Sequence, residues 1–232
     1  LYNGDIESYF SDLGIKKTNF FADISNYLSY ETGQPTHCYD ANKIKGTLIF
    51  NEIEEDIEFE TLVGKKISLQ DKNSVFLLNN EVINLAGIMG GKTTACSSAT
   101  KSVIVECAFF QPESIIGKSI KYDIQSDAAH KFERGVDSAC QERVLRRFIK
   151  IVAEHTKIKN LSFISHNFVD ISTHEIPLNV DKINKIIGIN ISNDDYKSNL
   201  TRLGFSIKGN NIEVPSYRND VKTQNDLAEE VA

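Results

Sequence analysis

The sequence lacks any apolar run near the roughly 18 residues that a bilayer-spanning helix needs, and its N-terminus lacks the basic, apolar, small-residue order of a secretory signal. A soluble, cytoplasmic chain with no membrane partner is expected. Positive charge is not in excess either: 26 Lys and Arg against 32 Asp and Glu give a net charge of −6, so contact with nucleic-acid phosphates has to be local. Cysteine is sparse. Cys38, Cys96, Cys107 and Cys140 match neither a zinc-site spacing nor a dense disulfide framework, which predicts reduced thiols and no bound metal. Internal repeats and low-complexity stretches are absent. Met89 is the single methionine and the chain opens at Leu1, which reads as a piece of a longer protein, as does the acidic helix start at residues 226–232.

What is present is an ordinary globular balance, 41% hydrophobic and 25% charged over 232 residues, enough for one large domain or two small ones. Tyr2, Ile6, Phe10 and Leu13 at near-helical spacing predict a short helix closing on Gly14. Phe20, Phe21, Ile24, Tyr27 and Leu28 predict a second, stopped by Gly33 and Pro35, so residues 33–40 read as a loop. From 46 to 110 short β-rich runs at 47–50, 57–63, 75–78, 82–85 and 102–110 alternate with turn residues, as in a meandering sheet or barrel. Helices resume with Pro112 in a first turn and with Asp137 as the cap of a stripe through Val144, Phe148 and Val152. Residues 161–169 read as a strand and 171–175 as a polar linker. Beyond it come helical patterns at 180–187 and 194–203, each closed by a glycine, and strands at 205–208 and 211–214.

The string Ala86-Gly87-Ile88-Met89-Gly90-Gly91-Lys92-Thr93 satisfies a loose phosphate-loop pattern. That pattern holds phosphate only when a helix begins at the Lys-Thr, and residues 94–102 have no apolar periodicity to anchor one. It is read as a glycine turn where backbone comes close to a neighbour. His37 falls in the loop after the second helix, where local sequence favours a solvated side chain. Glu106 interrupts the apolar run 103–110, and a carboxylate there costs free energy unless it is paired with a Lys or Arg or serves a ligand. Ser126 reads as a helix cap, since no histidine and acid stand at recognisable spacing for a hydrolase triad. Arg143, Arg146, Arg147 and Lys150 read as a solvated helix face.

Six strings in one order change this picture: DISNY (23–27), GQPTHCYD (33–40), LAGIMGG (85–91), VECAFFQP (105–112), SDAAHKFERGVD (126–137), and VPSYRND (214–220) followed by DLAEEVA (226–232). Together they resemble the beta subunit of bacterial phenylalanyl-tRNA synthetase over nearly the whole chain. The resemblance implies an α+β fold: residues 1–172 as an editing domain with a mixed, barrel-like sheet flanked by helices, and 173–232 as a small helical domain shaped like winged-helix DNA binders. It implies hydrolysis of tyrosine wrongly esterified to phenylalanine tRNA, with aminoacylation left to the alpha subunit. It also implies an assembly of two alpha and two beta subunits, with ATP and Mg2+ serving the intact synthetase and no cofactor serving the editing site.

Site residues carry over one by one. The resemblance assigns His37, Asn26, Ser25 and Ser126 to catalysis, and Glu106, Gly90, Ala128 and Lys16 to substrate binding. Lys16 stands where arginine is usual, and Ser25 and Ser126 where threonine is usual; lysine cannot reproduce a guanidinium fork. The chemistry suits these types. Phenylalanine and tyrosine differ by one hydroxyl, and a site that hydrogen-bonds that hydroxyl rejects the analogue lacking it by a factor of roughly ten thousand or more. Glu106 would accept the phenol proton and His37 and Asn26 would orient water or the ester, which requires Glu106 and His37 to share one site. Two other readings remain: a non-catalytic tRNA- or subunit-binding module of the same synthetase, and a nucleotide hydrolase built on Gly91-Lys92-Thr93.

Overall fold

The structure is a computed structural model that describes residues 2–166 and 173–232. The described residues form two compact units, one up to Val136 together with Cys140–Ser162, the other Asp137–Ala139 together with the chain from Phe163. Both are α+β.

In the first unit helix α1 (Asp5–Asp12) and helix α2 (Phe20–Thr32) arise where the apolar spacing predicts them. Asn19 caps α2 by accepting from the Ala22 amide at 3.1 Å, and Gly33 ends it in a left-handed conformation (φ 76°) that returns its N–H to the Ser29 carbonyl. Next comes β1 (His37–Asp40), then β2 (Leu48–Ile53), β3 (Ile57–Glu60), β4 (Lys66–Leu69), β5 (Asn73–Leu78), β6 (Glu81–Leu85), β7 (Met89–Gly90) and β8 (Val103–Glu106). Pro112–Ser114 is a 3₁₀ turn with proline in its first turn, followed by α3 (Lys118–Lys121), α4 (Asp127–Phe132) and α5 (Gln141–His155).

Every strand pair is antiparallel, and the strands fall into separate sheets ordered β2-β5-β6-β7, β1-β8 and β3-β4. The expected mixed, barrel-like sheet is therefore corrected: no barrel closes among the described residues. Two apolar clusters explain the layering. Phe59, Leu69, Val75, Leu85, Phe110, Ile115 and Phe132 fill the space between the strands and the α3–α4 segment. Ile6, Phe10, Ile24, Leu28, Val144, Phe148 and Ile151 join α1, α2 and α5, with Cys38 of β1 against them.

Other expectations shift too. Residues 33–40 are half loop and half strand, because Pro35 favours extended backbone before it and β1 finds a partner far along the chain in β8. Helix α5 starts at Gln141 and not at Asp137, whose carboxylate instead accepts from the Ala139 amide at 2.9 Å. The long runs at 57–63 and 102–110 shorten to four residues each, and β4 was not anticipated. Residues 161–166 have no regular structure; 167–169 of that expected strand, and 171–172 of the expected linker, lie outside the described residues.

The second unit is more than helical. Its strands β9 (His174–Pro177), β10 (Ser206–Lys208) and β11 (Asn211–Val214) form one antiparallel sheet with β11 central, and β9 lies where a linker was expected. Helices α6 (Val180–Ile187), α7 (Asn193–Arg202) and α8 (Gln224–Glu229) bury Ile183, Tyr196, Leu200 and Leu227 with Phe205, Ile212 and Val214. A capping box between Thr223 and Asp226 starts α8.

Candidate active site

The ladder of β1 and β8 sets His37 directly opposite Glu106, and Tyr39 opposite Ile104. Side chains at alternate positions share a face, so His37, Tyr39 and Glu106 stand together. The Tyr39 ring is fully buried, meets the imidazole edge-on at 4.5 Å, and donates its hydroxyl to Glu106 Oε2 at 2.7 Å. A second sheet closes the group. Asn84 of β6 donates through Nδ2 to the Tyr39 hydroxyl at 2.7 Å and to Glu106 Oε2 at 3.3 Å. Gly90 of β7, the register partner of Asn84, lies under the imidazole, with its absent Cβ position 2.2 Å from His37 Cε1. Any side chain there would displace the imidazole.

Electrostatics follow from this enclosure. Glu106 has no Lys or Arg partner among the described residues; burial pushes its carboxyl up to about 7, against a smaller opposing pull from the Tyr39 hydrogen bond. Desolvation also lowers His37 to about 4, so its imidazole is neutral at pH 7, and its Nε2 is buried without a hydrogen-bond partner. A neutral imidazole, a carboxyl near half-ionisation and a glycine floor thus converge. Such a cluster can accept a hydroxyl proton at one end and orient a polar atom at the other.

The remaining expected residues divide. Ser25, buried on α2, has its Oγ 2.6 Å from both the carbonyl and the Oγ1 of Thr36, next to His37. Ser126 caps α4 by accepting from the Ala129 amide at 3.1 Å and donates to the Ile88 carbonyl at 2.5 Å, two residues before Gly90. Ala128 packs against the sheet-side apolar cluster. Asn26 and Lys16 are exposed, Asn26 on α2 and Lys16 between α1 and α2. The structure therefore sets His37 against Gly90 and across the ladder from Glu106, with Asn84 linking the Gly90 and Glu106 strands, places Ser25 and Ser126 nearby as frame, and leaves Asn26 and Lys16 at the surface.

Sequence reasoning missed Tyr39 and Asn84. Asn84 carried the signal that singled out Glu106, one polar residue inside an apolar strand. Tyr39 was hidden because its strand was read as loop. The glycine string forms β7 and its turn: Gly91 donates to the Ile83 carbonyl at 2.8 Å, Lys92 pairs with Glu60 at 2.7 Å, and no helix begins at Lys92. Two surface clefts lie away from Glu106, one of about 440 Å³ beside Asn3, Arg147 and His155, one of about 460 Å³ beside Asp181 and Asn190.

Two family models match the sequence, the B3/4 domain over residues 6–157 and the tRNA synthetase B5 domain over residues 176–232. The chain belongs to the B3/4 domain family. Its sequence is also similar to phenylalanine–tRNA ligase beta subunits. That of Ehrlichia canis (strain Jake) is 33% identical over 232 residues, covering 97% of this chain and 30% of the relative. That of Burkholderia lata is 34% identical over 224 residues, covering 94% and 28%. The resemblance first seen in six strings thus extends over nearly the whole B3/4–B5 chain, which spans about 30% of the length of these relatives. A crystal structure of an N-terminal fragment of the phenylalanyl-tRNA synthetase beta-subunit from Pyrococcus horikoshii aligns with 91% of the chain and 64% of its own at 13% identity, with a TM-score of 0.43, too low to support an argument.

Proposed function

We propose that the B3/4 unit hydrolyses tyrosine mis-esterified to phenylalanine tRNA, reading the tyrosine hydroxyl with Glu106. The observation that carries this reading is the direct pairing of Glu106 and His37 across β1 and β8, in a setting that raises the carboxyl and leaves Nε2 buried and unpartnered. Ionised Glu106 accepts the phenol proton. Phenylalanine offers no donor, so its entry would desolvate the carboxylate without compensation.

The ester needs an oriented water. His37 Nε2 accepts a hydrogen bond from that water; with its pKa near 4 it positions more than it deprotonates. Water adds to the ester carbonyl, the carbon–oxygen bond to the tRNA ribose breaks, and the ribose oxygen takes the proton, giving tyrosine and free tRNA. Ser25 and Ser126, already committed to Thr36 and Ile88, hold α2 and the Gly90 turn in place. Asn26 and Lys16, exposed, suit contacts with the tRNA itself.

The same reading places the chain in the cytoplasm within a beta subunit, joined to an alpha subunit in a heterotetramer. ATP and Mg2+ would serve that whole enzyme, but the residues described here do not fit them. Lys92 is paired with Glu60, no helix starts at the glycine turn, and no group of three metal-capable side chains occurs among the described residues. No candidate membrane span occurs among the described helices.

The test is release of tyrosine from tyrosyl-phenylalanine-tRNA by the intact synthetase carrying Glu106→Ala or His37→Ala. Loss of tyrosine release in both supports the reading, and unchanged rates overturn it. Tyrosine bound in preference to phenylalanine but never released from tRNA would instead identify a binding module without chemistry.

A further inference from the structure

Glu106 has two carboxyl oxygens, and the chain treats them differently. Oε2 receives the Tyr39 hydroxyl at 2.7 Å and Asn84 Nδ2 at 3.3 Å, whereas Oε1 receives no hydrogen bond from the described residues. The donors also form a directed chain, because Asn84 Nδ2 donates to the Tyr39 oxygen at 2.7 Å and leaves the Tyr39 hydrogen no better acceptor than Glu106. Asn84 is itself fixed inside β6, on a different sheet from Glu106. The carboxyl is therefore pinned across two sheets through one of its oxygens.

Tyr39 does more than touch Glu106. Its ring packs edge-on against His37 at 4.5 Å and against Phe76 at 6.3 Å, with no exposed surface. One side chain thus bears on both the carboxyl and the imidazole, and the imidazole also lies close against Gly90. A carboxylate can accept about four hydrogen bonds, so an occupied Oε2 does not exhaust Glu106.

We propose that Tyr39, held by Asn84, is the positioning residue of the hydroxyl-reading site: it fixes Glu106 through Oε2 so that Oε1 is the atom that receives the phenol of the substrate. This rests on the reading of Glu106 given above. The internal phenol contributes in two ways. It fixes the direction of the reading oxygen before substrate arrives, which lowers the ordering cost of recognition. It also favours ionised Glu106, offsetting part of the burial that raises its pKa. The rival arrangement has Tyr39 occupying the place of the substrate phenol, so that it must leave before tyrosine can bind.

Tyr39→Phe separates these, since it removes one hydroxyl and keeps the ring between His37 and Phe76. Two measurements are made: the tyrosine-over-phenylalanine preference in release from phenylalanine tRNA by the intact synthetase, and the titration of the Glu106 carboxyl carbon by 13C NMR in the 232-residue chain, its signal assigned by loss in Glu106→Gln. The proposal expects the preference to fall about ten- to a hundredfold, the range for one hydrogen bond to a charged group, and the carboxyl to titrate above its wild-type midpoint. An unchanged or improved preference, or an unmoved titration, overturns it. If Glu106→Gln abolishes the preference while Tyr39→Phe behaves as wild type, only the role of Tyr39 falls. If Glu106→Gln itself keeps the preference, the reading of Glu106 falls and takes the role of Tyr39 with it.

Discussion

The His37 imidazole occupies the space that any side chain on Gly90 would need, with the missing Cβ position 2.2 Å from Cε1 and 2.8 Å from Nε2. Backbone strain is not the reason for glycine, because Gly90 is absent from the positive-φ positions. Close approach is.

Gly90→Ala should therefore act through His37. The added methyl overlaps the ring, already crowded by Tyr39 at 4.5 Å on centroids, so the ring has to shift. Misplacing a catalytic group by about 1 Å costs on the order of a hundredfold in rate. Tyrosine release is expected to fall by about that factor while the circular dichroism of the fold is kept. A rate within twofold of wild type would show that His37 takes no part.

The proposed chemistry should depend on pH through Glu106 and not through His37. The form that accepts a phenol proton is the carboxylate, populated above about 7, so the tyrosine-over-phenylalanine preference rises with pH through that value and then levels. His37 is already neutral above about 4 and adds no inflection between pH 5 and 9. Ratios of the two ester rates, each corrected for hydroxide-driven hydrolysis, give the profile directly.

Glu106 should also weaken the fold as pH rises. Between about 4.5 and 7 the unfolded chain has released a proton that the folded chain keeps; the unfolded state binds fewer protons, and stability falls. The full displacement corresponds to roughly 3 to 4 kcal/mol as an upper bound. Glu106→Gln removes this burden, so its stability relative to wild type is expected to improve from pH 4.5 to pH 8 in denaturant titrations. His37 works in the opposite direction between about 4 and 6.5, is present in both proteins, and cancels from the difference.

Ser126→Ala tests the frame. It deletes the cap on the Ala129 amide and the bond to the Ile88 carbonyl, and helix caps are worth about 1 to 2 kcal/mol. A loss of that size is expected in thermal unfolding. No loss would mean that another group takes over both bonds.

In the second unit Tyr196 is fully buried and donates to the Leu227 carbonyl at 2.9 Å, tying α7 to α8. Tyr196→Phe leaves that carbonyl without its partner at a cost of about 1 to 3 kcal/mol. Hydrogen exchange should rise in α7 and α8 and stay unchanged in β1 and β8.

Helices were legible because their signals are local. Periodic apolar residues with Gly33, Gly188 and Gly204 at the ends gave α2, α6 and α7 nearly to the residue. Glu106 stood out as a lone acid in an apolar strand, although its companions turned out to be a phenol and an amide in place of a cation. Strand β1 did not stand out. Four residues, His37-Cys38-Tyr39-Asp40, carry too little apolar alternation to announce a strand, and their partner β8 lies far along the chain. Pairing of that kind is decided by tertiary packing, so Tyr39 could not be recognised as the neighbour of Glu106. The same distance hid the sheet order and the absence of a closed barrel.

The Tyr39–Glu106 bond spans 67 positions of chain, with β2 to β7 threaded between. Closing a contact of such separation costs more loop entropy than closing a near one. A nascent polypeptide released too early, or a proteolytic remnant broken between these strands, would lack the Tyr39–Glu106 bond and the facing of His37 and Glu106 on which the proposed chemistry rests.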